Sequence, residues 1–213
     1  MDMNISLAVL KKHGACDPGI ECFKYLKTTT VHETINKCMN LSDDVVLRWT
    51  DDKLVKYRWC NWLLSRILPK DENIKYAIYS AKLVIDIFEK KYPNDNRPRN
   101  AIKAAELYLE GKVTKKQIRD AADAAADAAA DAADAAADAA ADAAADAAAA
   151  KYAANAAKYA AYAADVANYA AYYAHAAANY AVAAVADRKE IFRSIITYGL
   201  TLIAEQDKTI GYN

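Results

Sequence analysis

DAADAAADAAADAADAAADAAADAAADAAAA, Asp120 to Ala150, is built from two residue types alone, alanine and aspartate. The aspartates stand at Asp120, Asp123, Asp127, Asp131, Asp134, Asp138, Asp142 and Asp146, so the spacing runs three, four, four and repeats until its last member. Eleven residues in three turns is about 3.67 per turn, close to the natural helical period of about 3.6. At about 100° per residue the carboxylates fall within an arc of roughly 140°, which leaves the rest of the cylinder as bare alanine. Alanine loses no side-chain entropy in a helix, so the stretch is close to stable before it touches anything. The spacing predicts one long helix with an acidic face, roughly 50 Å if it starts near Thr114.

Outward from this stretch the chain has few helix breakers. No glycine or proline lies between Gly111 and Gly199, and such a run predicts an all-α protein. With 213 residues there is length for one or two domains. The net charge is zero, but residues 1–119 carry an excess of seven positive charges and residues 120–213 an excess of seven negative ones. Such asymmetry fits either docking of one half on the other or a charged partner. Cys16, Cys22, Cys38 and Cys60 form no CxxC pair and are too sparse for a secreted disulfide scaffold. Neither a signal-peptide pattern nor a membrane-spanning run is present, so a reduced cytoplasmic protein is expected.

Three regions follow from composition. Residues 1–111 read as short capped helices around a tryptophan-rich core containing Trp49, Trp59 and Trp62. Asp17 before Pro18, Thr30 with Glu33, and Ser42 before Asp43 mark helix starts. One helix is expected from about Glu72 to Tyr92, a turn at Pro93–Pro98, and a short helix stopped by Gly111. Residues 112–186 form long alanine-rich antiparallel helices, Asp/Ala and then Tyr/Ala, with Tyr152, Tyr159, Tyr173 and Tyr180 in a seven-residue register and Tyr162 and Tyr169 in a second. The chain is expected to fold back near Ala147 to Asn155. Residues 187–213, opened by the capping box Asp187 with Glu190, form an amphipathic C-terminal helix packing back on the bundle.

The run FEKKYPNDNRPRNAIKAAELYLEGKVT, Phe88 to Thr114, followed by an alanine-rich tract carrying Asp, Tyr, Asn and His, resembles a bacterial family of alanine-rich proteins named as immunity proteins. YPNDNRPRNAIKAA, Tyr92 to Ala105, is its most specific piece, and the tryptophan-bearing helix Arg48 to Arg66 also fits. The resemblance implies a cytoplasmic protein that binds and blocks a cognate toxin in competition between bacteria, and it implies no catalytic residues. The pure Asp/Ala half departs from the family's tyrosine-richer repeats.

Three readings of the aspartate face stand beside one another. It can be a solvated face that keeps an alanine helix soluble, or it can dock on the chain's own basic half. In the third reading, carboxylates about 5–6 Å apart imitate strand phosphates and enter the basic cleft of a nuclease-like toxin. The candidate partner-binding residues are Asp127, Asp131, Asp134, Asp138 and Asp142, with Arg97, Arg99, Tyr162 and Tyr169. Tyrosine offers contact area at low entropic cost, although tyrosine beside alanine is more often helix packing. Arg97 and Arg99 beside Asp95 can bind an anion or simply cap their turn.

His13, Cys16, Cys22, His32 and Cys38 match no usual zinc spacing, and carboxylates on one helix lack the converging oxygens that calcium needs. Neither a nucleophile elbow nor a phosphate-cradling glycine loop occurs. The chain is therefore expected to be a non-enzyme with no metal or cofactor, no membrane contact and no direct nucleic-acid contact. The alternative function is a structural helical module in which alanine faces pair between copies as a homo-oligomer. A more distant one is an ice-binding-like helix, whose threonines are replaced here by aspartate.

Overall fold

The structure is a computed structural model that describes residues 3–137, 141–166 and 169–210. Among these residues it is all-α, with no strand and a single isolated bridge between Asn4 and Thr30. Close contacts group the residues into two compact units. One comprises Met1–Ile67 with the chain from Ile196 onward, and the other is Leu68–Ile195. The composition break at Gly111 falls inside the second unit.

In the first unit, α1 (Leu7–Lys12), α2 (Asp17–Leu26), α3 (Val31–Met39), α4 (Asp43–Val46) and α5 (Val55–Ile67) are short, and side chains cap the starts of α1 and α3. Ser6 Oγ accepts from Val9 N at 3.4 Å, and Thr30 Oγ1 from Glu33 N at 3.4 Å, each satisfying one orphan amide of a helix start. Asp17 is the first residue of α2 rather than its cap, which is Cys16. Ile35, Leu64 and Tyr57 are fully enclosed. Trp49, Trp59 and Trp62, expected in the core, are half-buried. Trp49 instead joins a surface row, its ring 5.6 Å from Tyr25 and 6.4 Å from Trp59. Rings this large seldom lose all their exposure in a unit of such short helices.

In the second unit α6 (Lys70–Lys82) and α7 (Ile85–Lys91) replace the single helix expected from Glu72 to Tyr92. The break at Leu83–Val84 allows α6 and α7 each to lay an apolar side on the same neighbour, with Ile74, Ala77, Ile85 and Phe88 at most 1% exposed. One straight helix would aim part of that set away. Next come α8 (Arg97–Leu109), α9 (Lys115–Ala137), α10 (Ala141–Asp165) and α11 (Ala170–Ala183). Finally α12 (Arg188–Ile210) begins in this unit after Asp187, whose Oδ1 accepts from Glu190 N at 3.1 Å, and from Ile196 onward it belongs to the first unit.

The neighbour shared by α6 and α7 is α10, which also packs against α8, α9 and α11. A helix covered on so many sides must be apolar around most of its circumference. Accordingly Ala153, Ala154, Ala156, Ala157, Ala160, Ala161, Ala163 and Ala164 have no exposed surface. Methyl side chains let backbones approach to the short end of the usual 8–10 Å range.

The fold-back expected near Ala147 to Asn155 does not occur there, because α10 runs straight through these residues. The ladder is instead shared between α9 and α10, which pack against each other, and α9, at 23 residues, spans about 35 Å. Nothing in Ala147–Asn155 breaks a helix, and continuing it keeps Ala147 and Ala150 covered. α10 ends at Asp165 and α11 begins at Ala170, so the tyrosine register is divided between two helices as well.

Candidate functional site

The three-and-four spacing works as expected on α9. Asp120, Asp123, Asp127, Asp131 and Asp134 are exposed, while Ala122, Ala125, Ala128, Ala129 and Ala132 are at most 4% exposed. Asp138 lies outside the described residues, and so does the side chain of Asp142. Thr114 and Gln117 close a reciprocal capping box at the start of α9, with Thr114 N donating to Gln117 Oε1 at 2.9 Å and Gln117 N to Thr114 Oγ1 at 3.3 Å. Among the described residues, two ladder carboxylates accept hydrogen bonds from other helices of this chain. Arg97 Nη2 donates to Asp131 Oδ2 at 2.6 Å, and the Tyr162 hydroxyl donates to Asp123 Oδ1 at 2.8 Å. Asp127 and Asp134 form no ion pair among the described residues.

Arg97 reaches the ladder from the corner Tyr92–Arg99. Pro98 sits in the first turn of α8, where its missing N–H costs no hydrogen bond. Asp95 accepts from Arg97 Nε at 3.0 and 3.1 Å, from Nη2 at 2.7 Å and from the backbone N of Arg97 at 3.0 Å. These bonds fix the guanidinium, and those from the Arg97 side chain are the main cause holding the Asp95 carboxyl below the usual carboxylate range. Arg99 turns the other way. It forks onto Glu89 of α7 and reaches Asp86 Oδ1 at 3.3 Å, and its hydrogen bonds likewise lower Glu89. The two arginines therefore tie the corner to α9 on one side and to α7 on the other. A shallow open depression of about 560 Å³ lies beside them, lined by Lys91, Tyr92, Pro93, Asn94, Asp95 and Arg97.

The tyrosines that share a register along the sequence meet across two helices. Tyr159 stacks on Tyr180 at 5.1 Å and on Tyr173 at 6.0 Å, Tyr152 lies 6.2 Å from Tyr180, and Tyr162 lies 5.5 Å from Tyr173. Low numbers on α10 face high numbers on α11, so the two helices are antiparallel. The row continues to Tyr169 and Tyr172, 6.4 and 5.4 Å from Tyr173. Burial, and after it the neighbouring hydroxyls and carboxylate, pushes Tyr159 and Tyr162 up to about 12, so both phenols stay neutral donors at physiological pH.

One more contact joins α9 to α10. Arg119 Nε and Nη2 donate to Asp165 at 3.0 and 3.3 Å. A cation in the first turns of a helix and an anion at the end of another each oppose the local helix dipole. Antiparallel packing brings the two misplaced charges together, and the Asp165 side chain is 3% exposed in consequence.

Of the candidates, the structure places Asp131 with Arg97 and Tyr162 with Asp123, and leaves Asp127, Asp134 and Tyr169 outward. Arg119, a cation at a helix start that is expected to face a carboxylate or a partner, meets the buried Asp165, and Lys158, Tyr159, Tyr173 and Tyr180 also belong here without having been candidate binding residues. The seven-residue tyrosine spacing was the signal for three of them, whereas nothing local marks Asp165 as the partner of a residue on another helix. Chemically the surface offers carboxylates, neutral phenols and fixed guanidinium groups, a set suited to recognition. No group of three or more His, Cys, Asp or Glu among the described residues is arranged to hold a metal. Cys22, Cys38 and Cys60 are buried, and hydrogen bonding to Cys38 followed by burial pushes the Cys22 thiol well above its usual range. No described helix is long and apolar enough to cross a membrane.

A family model described as "Imm-5 like putative immunity protein" matches residues 65–195. The match covers more than half of the chain, and the chain belongs to this family. Its limits nearly coincide with the unit Leu68–Ile195. No curated protein and no solved structure matches the chain.

Proposed function

We propose that this member of the Imm-5 like family binds a cognate bacterial toxin in the cytoplasm and neutralises it by occupying its working surface, with no catalytic step of its own. The observation that carries this reading is the coincidence of the family match with one compact unit, whose outer surface combines an acidic edge and a row of tyrosines. The alanine faces that would have to pair between copies in a purely structural module are already covered within the chain.

The edge formed by Asp127, Asp131 and Asp134, continued in sequence by Asp138 and Asp142, fits a basic partner such as a nuclease-like domain. A cleft shaped for phosphates accepts carboxylates at comparable spacing, and opposite charge speeds encounter. Arg97 and Arg99 hold the corner from which this edge is braced, and Tyr162 and Tyr169 border it. Co-expression with the toxin encoded beside this gene tests the reading. Protection and a co-purifying complex are expected, with affinity falling as salt rises and falling again in Asp127→Asn/Asp134→Asn. No rescue and no complex would sink it.

A further inference from the structure

The tyrosine row between α10 and α11 is more than packing. Tyr169 and Tyr172 are 59% and 53% exposed, and they lead inward through Tyr173 to rings that are half-buried. One ring face in the row already holds a cation, since Lys158 Nζ sits 4.3 Å from the centroid of Tyr159. At Tyr162 the row joins the acidic edge through the hydroxyl bond to Asp123, with Asp120 exposed one turn before it on α9. Arg119, whose charge also acts on Asp120 and Asp123, gives its hydrogen bonds to Asp165 and leaves N–H donation to those two carboxylates to another group. The tyrosine row and two exposed carboxylates, Asp120 and the singly bonded Asp123, therefore meet at Tyr162, where α9 begins and α10 ends.

We infer that this surface is a seat for arginine side chains of the bound partner, each guanidinium lying on a tyrosine face and directing its N–H groups to Asp120 or Asp123. The inference rests on the toxin-binding reading and names its chemistry. Arginine fits better than lysine because its planar, weakly hydrated guanidinium stacks on a ring and forks onto a carboxylate at once. A single-stranded nucleic acid also stacks on tyrosine, but its phosphates would lie against Asp120 and Asp123. A second copy of the chain in a two-fold contact would bring this acidic edge against itself.

The experiment uses the full chain in two arms. In the first, calorimetric titration compares an arginine nonapeptide with a lysine nonapeptide at equal ionic strength. About tenfold tighter binding of the arginine peptide is expected, since a few cation–π contacts suffice for that difference. Tyr169→Ser/Tyr172→Ser should remove the preference while leaving the melting temperature unchanged, because both side chains are largely exposed. Equal affinity for the two peptides, or a preference that survives the tyrosine changes, overturns the inference. In the second arm the wild-type and Tyr169→Ser/Tyr172→Ser chains are co-expressed with the neighbouring toxin. Loss of protection by the variant alone is expected. Equal protection by both overturns the assignment of this surface and leaves the toxin-binding reading intact, whereas a wild type that fails to protect overturns the reading itself.

Discussion

Helices α9 and α10 are both alanine-rich and nearly equal in length, at 23 and 25 residues, yet they occupy opposite environments. The first keeps one face in solvent, while the second is packed against five other helices. Charge placement accounts for the contrast. In α9 a carboxylate returns every third or fourth residue, so a broad arc must stay wet. In the second half of α10 the polar positions shrink to Lys151, Asn155, Lys158, Tyr162 and Asp165, a narrow stripe, and alanine with Tyr152 and Tyr159 fills the rest. Similar composition thus specifies an outer wall in one case and a central post in the other.

The sharpest way to break this comparison is to give α10 the chemistry of α9. Ala160→Asp should abolish cooperative thermal unfolding, since it buries a carboxylate with no partner, at a cost of several kcal/mol. The same change at exposed Ala130 should stay within about 0.5 kcal/mol of wild type in urea denaturation. Comparable losses at the two sites would show that the helices are not differently placed.

A smaller effect is expected where α9 and α10 are pinned. Arg119→Ala strands the buried Asp165 carboxylate and should lower the melting temperature clearly, and adding Asp165→Asn should restore part of the loss. Strictly additive effects in that double-mutant cycle would mean the pair is not coupled.

Acid provides the next test. Asp95 and Glu89 have carboxyl groups held below their usual values of 3.8 and 4.5 by Arg97 and Arg99. Groups depressed by folding stabilise fully above the unfolded value, and that stabilisation is lost as pH falls through the folded one. Stability should therefore decline from about pH 4.5 downward, and Asp95→Asn should flatten that decline while leaving its slope near pH 7 unchanged. A variant with the wild-type acid limb would refute the assignment. Tyr162→Phe, which removes only the bond to Asp123, should have the smallest effect, about 0.5–1 kcal/mol in denaturant titration.

Local signals made much of this structure legible. Thr30, Thr114 and Asp187 each fall at the helix start their spacing indicated, and the outward turn of the ladder follows from its period. The joints were less legible. No residue near the end of α9 differs in type from those before it, so the division of the ladder between α9 and α10 has no local signal in the sequence. The same holds for the break at Leu83–Val84, where two covering faces matter more than the apolar stripe of one helix. Tryptophan content suggested a core at Trp49, Trp59 and Trp62, but the enclosed places go to Tyr57 and Leu64. At the candidate site, the arginine clamps on Asp95 and Glu89 are close in sequence and could be anticipated, whereas Arg119 with Asp165 is 46 residues apart and could not.

The enclosure of α10 also separates two kinds of inheritance. Its buried methyl-lined surface leaves almost no room for a larger side chain, so volume alone restricts which residues this helix can carry. The outer residues of α9 and the exposed rings of Tyr169 and Tyr172 carry no such restriction, and substitutions there leave the central post untouched. A lineage can therefore revise what this surface recognises, residue by residue, without renegotiating how the chain folds.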